Sequence, residues 1–140
     1  WFETQDSISY WDDFFKPKVM YSEIVQEPRF YLDNEGKFFP EATTFILTGE
    51  HLEYLYKLFH SKTITYCFKQ FYAGGGLGEN GYRYKKAFFE NLPIPKYKNT
   101  ELQKNIESAS KTMDIENLVF KLYNLSQEEI EFVNSSITRK

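Results

Sequence analysis

The spacing of hydrophobic residues along this chain changes near Glu50, and that change limits the folds that the chain can adopt. Before Glu50 the apolar residues lie in short β-rich runs, whereas after it they recur at the three- and four-residue spacing of a helix face. The sequence therefore predicts an α/β fold of the α+β type, with a small mixed sheet, packed helices and a C-terminal helical tail.

The β-rich part covers residues 18–47 and predicts three or more strands. Its clearest signal is a hairpin, in which Arg29–Leu32 is followed by a turn at Asp33–Gly36 and by Lys37–Phe39. Asn34 and Gly36 are residues that tolerate the positive φ of such a turn. Thr43–Leu47 is a further β-rich run.

Two sets of apolar residues at helical spacing follow, on either side of Ser61. The first set is Leu52, Leu55, Leu58 and Phe59, and the second is Ile64, Cys67, Phe68 and Phe71. A helix that bends at Ser61 is expected.

The residues after Pro93 and Pro95 predict a separate helical tail. Thr100 with Gln103 fits a capping box, and Ser126 with Glu129 fits a second one. We expect one domain at residues 1–98 and a helical tail at residues 99–140, which packs on the domain or on a partner subunit.

Composition indicates a single core that is rich in aromatic rings. The chain has 140 residues, of which 19% are aromatic, so either the core or a binding face must hold many rings. One cysteine and two histidines provide neither an internal disulfide nor the usual four-ligand zinc site. No apolar run is long enough to span a bilayer. A cytoplasmic protein without a membrane partner is the expectation.

A glycine-rich segment at residues 73–81 holds five of the seven glycines. Gly76 to Gly81 formally matches G-x-G-x-x-G, but the preceding strand, following helix and downstream acidic residue of a dinucleotide site are not recognisable. A mobile surface loop is one interpretation. DNA contact is the other, because backbone amides without side chains can approach phosphates closely.

Positive charge is concentrated around this segment. The whole chain carries a net charge of -3, whereas residues 61–98 carry seven Lys or Arg against two Asp or Glu. The cations alternate with tyrosines and phenylalanines, a mixture that suits both phosphates and base edges. These cations are Lys62, Lys69, Arg83, Lys85, Lys86, Lys96 and Lys98. A solvated strand face is the structural alternative.

The residues offer no recognisable catalytic constellation. Asp12 and Asp13 are chain neighbours, which rarely converge on one substrate, and His60 with Cys67 lacks a third group to orient it. The sequence therefore gives little support to an enzyme confined to these residues.

Several motifs follow one another in a characteristic order along the chain. They are Phe15-Lys-Pro-Lys-Val-Met-Tyr-Ser-Glu-Ile24, Pro28-Arg-Phe30, Leu52 to Lys57 with Ser61-Lys62, Gly81-Tyr-Arg83 with Lys86, Leu92-Pro-Ile-Pro-Lys96, and the tail from Ile115 to Val133. In this order they resemble the TaqI-like C-terminal specificity domain. That family supplies the target recognition domain of type II restriction-modification N6-adenine DNA methyltransferases and is similar to half of a type I specificity subunit.

The resemblance implies a module that binds double-stranded DNA at a short specific sequence. A separate methyltransferase catalytic domain or subunit would use S-adenosylmethionine to methylate a flipped adenine. This chain has no Asn-Pro-Pro-Tyr segment, so it is expected to bind no cofactor and to have no activity of its own. The resemblance leaves open whether the parent also cleaves DNA.

Local charge and loop chemistry select the residues expected to contact DNA. Arg83, Lys85 and Lys86 would bind phosphates or guanine edges, and Asn80 would offer a bidentate amide to adenine. The full predicted set is Lys69, Gln70, Gly75, Gly76, Gly78, Asn80, Tyr82, Arg83, Lys85 and Lys86.

A protein-protein interaction module is the alternative function. In that interpretation the aromatic excess forms a docking surface and the basic strip binds an acidic partner.

Overall fold

The computed structural model describes residues 9–25, 29–41, 43–72, 82–83 and 90–138. A 3-10 helix at Trp11–Phe15 precedes the sheet. The strands are β1 Lys18–Ser22, β2 Ile24–Val25, β3 Phe30–Asp33, β4 Thr44–Leu47 and β5 Tyr82–Arg83. The helices are α1 Leu52–His60, α2 Lys62–Cys67, α3 Glu101–Ser108, α4 Thr112–Leu122 and α5 Gln127–Thr138, and a π-helical turn at Phe68–Tyr72 extends α2. The predicted α+β class is confirmed.

The main sheet has the strand order β3-β1-β4, and β2 pairs separately with β5. Every strand pair within the described ranges is antiparallel, so the sheet is not of the mixed type that we expected. The central strand β1 pairs with β3 on one side and with β4 on the other. Residues 37–39 are not a strand, which corrects the predicted hairpin.

The Asp33 side chain explains why the predicted hairpin does not form. Its carboxylate accepts hydrogen bonds from the backbone N–H groups of Glu35, Lys37 and Phe38, at 3.3, 3.1 and 2.9 Å. These N–H groups bind a side chain instead of a neighbouring strand, so the chain leaves the sheet after β3. Gly36 has the expected positive φ of 64°, whereas Asn34 is not among the residues with positive φ.

The inner face of the sheet packs on α1 and forms the hydrophobic core. Alternation along β1 places Val19 and Tyr21 on this face, opposite Leu32 and Phe30 of β3 and opposite Leu47 and Phe45 of β4. Leu58 of α1 is fully buried in the same cluster. The apolar residues that recur at helical spacing in α1 therefore mark the side of the helix that faces the sheet.

The predicted bend lies at Ser61. The Ser61 N–H donates to the Leu58 carbonyl at the end of α1, and its side chain accepts a hydrogen bond from the Ile64 N–H at the start of α2. Phe68 is fully buried, whereas Phe71 is 72% exposed. The wider π-helical turn changes the angular spacing of side chains, so Phe71 leaves the buried stripe.

The helical tail shares the core of the preceding segment. Ile106 of α3 and Val119 of α4 are fully buried in the cluster that contains Leu58 and Val19. The expected capping box joins Thr100 and Gln103 at the start of α3. The tail thus packs on the domain, the first of the two positions that we expected for it. Within the described ranges no helix has both the length and the apolar character that crossing a bilayer requires.

Candidate functional site

The predicted DNA-contacting residues lie mainly outside the described part of the chain. Gly75, Gly76, Gly78, Asn80, Lys85 and Lys86 all belong to that group. The backbones of Tyr82 and Arg83 are described and form β5, which pairs with β2 in the register Ile24 to Arg83 and Val25 to Tyr82. Lys69 and Gln70 lie in the π-helical turn, where Gln70 is exposed and Lys69 is partly buried with an interaction partner of its own.

The structure therefore positions both ends of the glycine-rich segment. The near end follows the π-helical turn at Phe68–Tyr72, whose Phe68 is fully buried. The far end is β5, hydrogen-bonded to β2. Two packed elements thus flank the segment that we expected to contact DNA.

Lys62 does not belong to a free basic strip. Its ammonium Nζ donates to Asn134 Oδ1 of α5 at 2.7 Å, and its backbone N–H donates to the Glu116 carboxylate of α4 at 3.1 Å. The lysine joins α2 to two helices of the tail, so it stabilises the fold. Lys96 and Lys98 are exposed.

Two of the tyrosines interleaved with the basic residues also have structural contacts. Tyr97 stacks on His51 with a ring-centroid distance of 3.6 Å, and its hydroxyl donates to Glu107 Oε2 at 2.8 Å. The Tyr66 ring meets Phe132 of α5 edge-on. These contacts favour the structural interpretation for part of the aromatic and basic pattern.

Aromatic rings instead gather on the outer side of the sheet, opposite α1. Six of them are each between 51% and 55% exposed, namely Tyr10, Trp11, Phe15, Tyr31, Phe38 and Phe39. We call these six residues the aromatic face. Phe15 meets Phe39 with ring centroids 5.4 Å apart, and Tyr31 meets Phe38 at 5.3 Å. Tyr31, Phe38 and Phe39 line one groove, which connects the two ring pairs.

A buried ion pair holds this patch against the sheet. Lys18 Nζ donates to Asp33 Oδ2 at 2.6 Å and to the Phe14 carbonyl at 2.8 Å, so β1, β3 and the 3-10 helix meet at one ammonium. Burial alone raises the pKa of Asp33, but Lys18 and the N–H groups of Phe38 and Lys37 outweigh it and hold that pKa well below its usual range. The carboxylate is ionised at neutral pH.

Two grooves adjoin the aromatic face and share Tyr21 and Thr44 in their walls. The aromatic groove has a volume of about 410 Å³ and is lined by Met20, Tyr21, Ser22, Arg29, Tyr31, Phe38, Phe39 and Thr44. The acidic groove has a volume of about 510 Å³ and contains the carboxylates Asp13, Glu41 and Glu90 beside Tyr10 and Phe14. Arg29 and Tyr31, which have no role in the core, thus line a surface groove.

A third cavity, of about 720 Å³, lies between α1, α4 and the loop that joins α3 to α4. The charged side chains in its lining bind other groups of the same chain. Lys57 Nζ lies 2.5 Å from the Glu107 carbonyl and 3.1 Å from Glu53 Oε1, and the Glu116 carboxylate accepts the Lys62 N–H. Burial raises the pKa of Glu116, although the Lys62 hydrogen bond opposes that change. The polar lining of this cavity therefore joins secondary-structure elements.

Both ring nitrogens of His60, in the same cavity, have backbone partners. Nδ1 lies 3.0 Å from the Tyr56 carbonyl, and Nε2 lies 3.4 Å from the Phe30 nitrogen. Burial lowers the pKa of His60, and burial raises the pKa of the Cys67 thiol. A neutral imidazole with both nitrogens engaged does not activate a protonated thiol. In the part of the chain that the structure describes, no three His, Cys, Asp or Glu side chains are placed to hold a metal ion.

The sequence does not identify which residues form the aromatic face. The aromatic excess was a signal for a ring-rich surface, but it did not separate exposed rings from core rings. The predicted hairpin places Phe38 and Phe39 in a strand, where the alternation of side chains would bury one of the two rings.

No protein-family model matches the chain, and a search of curated proteins found no significant match.

Proposed function

We propose that this chain is the target recognition module of a restriction-modification N6-adenine DNA methyltransferase and binds double-stranded DNA. The observation that best supports this function is the pairing of β5 with β2, which brings Arg83 into a sheet directly after the glycine-rich segment. Pairing with β2 fixes the backbone of Arg83, from which its side chain would contact a phosphate. The resemblance and the positive charge of residues 61–98 agree with this function.

Methyl transfer belongs to a separate catalytic domain or subunit in this proposal. That partner would hold S-adenosylmethionine, while this chain supplies sequence recognition. Isothermal calorimetry of the isolated chain with S-adenosylmethionine is expected to give no saturable heat. The lone cysteine suits a reducing compartment, so we place the protein in the cytoplasm.

DNA binding is tested by fluorescence anisotropy with a labelled duplex at two ionic strengths. We expect affinity to fall steeply with salt, since each phosphate contact releases condensed counterions. Replacing Arg83, Lys85 and Lys86 with alanine should weaken binding at least tenfold and flatten the salt dependence. A chain that binds equally well at both ionic strengths, or not at all at low salt, would contradict DNA recognition.

The matched control carries the same change of charge in the tail. Lys104, Lys111 and Lys121 are exposed, and their triple alanine variant also removes three positive charges. If this control loses as much affinity as the Arg83 triple variant, the binding is a response to net charge and not to the basic strand. Circular dichroism verifies that both variants are folded.

A protein-docking function is the second candidate, and the aromatic face favours it. Aromatic residues bury about 150–250 Å² each, so six half-exposed rings present roughly 450–750 Å². One partner in a standard protein interface contributes about 800 Å². The aromatic face therefore approaches the size of one side of a specific interface. The variant F38S/F39S should leave duplex binding unchanged while it lowers binding of 1-anilinonaphthalene-8-sulfonate, a dye for exposed apolar surface.

A further inference from the structure

Arg29 and Glu41 carry opposite charges in the two grooves that adjoin the aromatic face. Arg29 lines the aromatic groove, Glu41 lines the acidic groove, and Tyr21 and Thr44 line both. Both charged residues are exposed, and no ion pair joins either of them to another residue within the described ranges. The two charges therefore lie on one surface without neutralising each other.

The other charged residues of the two grooves have partners within the protein. Asp13 pairs with Lys16 at 2.6 Å, and Glu90 has an interaction of its own. In the described lining of the aromatic groove, Arg29 is the one charged residue. The two grooves thus present one cation and one carboxylate that have no ion-pair partner in the part of the chain described here.

A surface with these properties is complementary to itself. A two-fold axis brings the same patch of two copies together, so that each contact between two different residues occurs twice. An axis through the shared wall at Thr44 makes the aromatic groove of each copy face the acidic groove of the other. Arg29 of each copy then meets Glu41 of the other, and the rings of the facing grooves pack together.

The area of the aromatic face also suits a dimer. Its six half-exposed rings would bury roughly 900–1,500 Å² when both copies are counted. Specific protein interfaces bury about 1,200–2,000 Å² in total, and the side chains around the rings would add to the first figure. A second copy also compensates both charges, whereas a uniformly acidic surface such as DNA would face Glu41 with like charge.

We propose that the aromatic face binds a second copy of this chain about a two-fold axis, with reciprocal ion pairs between Arg29 and Glu41. This inference rests on the docking function proposed above. The rings supply the apolar area of the interface, and the two ion pairs determine how the copies are oriented.

Sedimentation velocity of the full chain tests the dimer over roughly a hundredfold range of concentration. The average mass should rise from that of one chain toward that of two. R29E and E41R should each weaken the dimer at least about tenfold, because every homodimer would contain two like-charged pairs. K104E makes the same change of charge as R29E at an exposed position of α3 and should leave the dimer intact.

An equimolar mixture of R29E and E41R tests the two-fold arrangement itself. A dimer of one R29E chain and one E41R chain has opposite charges at both contacts, so the mixture should dimerise far more tightly than either variant alone. A mixture that dimerises no better than the separate variants would overturn the reciprocal pairing. Circular dichroism verifies that each variant is folded.

The remaining outcomes separate this inference from the docking function. A chain that stays monomeric at every concentration would overturn the second copy as the occupant. Docking to a different protein would remain if F38S/F39S lowers binding of 1-anilinonaphthalene-8-sulfonate by that monomer, and would be removed if it does not. A dimer that persists in F38S/F39S would place the interface elsewhere and would also overturn the proposal.

Discussion

The Asp33 carboxylate accepts hydrogen bonds from a buried ammonium and from three backbone N–H groups. It stabilises the turn after β3, and it neutralises Lys18 in a position where neither charge meets water. A buried pair of this kind contributes little over an apolar substitute, but removing one partner leaves a buried charge without compensation. One side chain therefore connects the sheet to the aromatic face.

We predict that D33N destabilises the protein by about 3 kcal/mol at pH 7 in urea unfolding. The native state holds the pKa of Asp33 below its unfolded value, so the stabilisation is present above that unfolded value, about 4, and is lost as pH falls below it. The advantage of the unsubstituted protein over D33N should therefore shrink on acidification.

Asp13 provides the control for this prediction, since its ion pair with Lys16 is exposed. D13N should cost less than about 1 kcal/mol. Similar costs for D13N and D33N would show that burial does not set the strength of the Lys18 pair.

Gly36 allows the 3-10 helix to lie against the turn. Its φ is 64°, and a Cβ at this position would overlap the carbonyl of Phe15. Gly49 also has a positive φ, of 147°, but no atom lies near the position of its Cβ. A side chain at Gly36 would therefore cause both backbone strain and steric overlap, whereas a side chain at Gly49 would cause backbone strain alone.

We predict that G36A costs at least about 3 kcal/mol, because strain and overlap add. G49A should cost about 1–2 kcal/mol, from strain alone. Chemical denaturation of both variants measures the difference. Equal costs would mean that the turn relaxes away from Phe15 without penalty.

At the scale of elements, two capping boxes of similar sequence lie in different surroundings. Gln103 is buried, and its amide donates to Lys96 O at 3.0 Å and to Tyr54 Oη at 3.3 Å while it accepts the Lys98 N–H at 2.8 Å. Glu129 is exposed, and its carboxylate accepts the Ser126 N–H at 2.8 Å. The first box joins α3 to α1 and to the chain before it, whereas the second caps α5 locally.

We predict that Q103A destabilises the protein by about 2–3 kcal/mol, since it leaves several buried groups without partners. E129A should cost about 1 kcal/mol or less. Thermal unfolding followed by circular dichroism compares the two variants. A cost for E129A that equals the cost for Q103A would show that the buried amide network is not important to stability.

At the scale of the whole molecule, the core joins the two segments that the sequence separates at residue 98. Ile106 and Val119 are fully buried in the same hydrophobic cluster as residues of β1 and α1. The helix α1 packs on α3 of the tail, so a chain that ends at residue 98 would lack the cover of that side of α1. We therefore expect the helical tail to fold together with the preceding segment.

We predict that residues 1–98 alone show no cooperative thermal unfolding. In the full chain, I106A should cost about 3 kcal/mol through cavity formation. M113A is the control, because Met113 is 70% exposed and its loss should change stability by less than about 0.5 kcal/mol. A cooperative transition in the shorter fragment would restore the independent domain that the sequence suggested.

Features that depend on neighbours within a few residues are predictable from the sequence. The change of period at Glu50, the bend at Ser61 and the capping boxes at Thr100 and Ser126 all follow from local hydrogen bonding or side-chain spacing. These local signals are sufficient to predict the α+β class. The sequence also locates the positive charge of residues 61–98, which agrees with the proposed DNA function.

Contacts between distant parts of the chain determine which side chains are available for binding. Lys62 appears in the sequence as one cation of a basic strip, but Asn134 lies 72 residues away and accepts its ammonium hydrogen bond. Phe38 and Phe39 are exposed because Asp33 draws their backbone out of the sheet. Phe30 instead packs on Phe59 of α1, and Phe45 stacks on Tyr21 in the sheet. All four residues are phenylalanines, so residue type does not explain why two are exposed and two are packed. Their exposure depends on which elements pack beside them, and that information lies in contacts between distant parts of the chain.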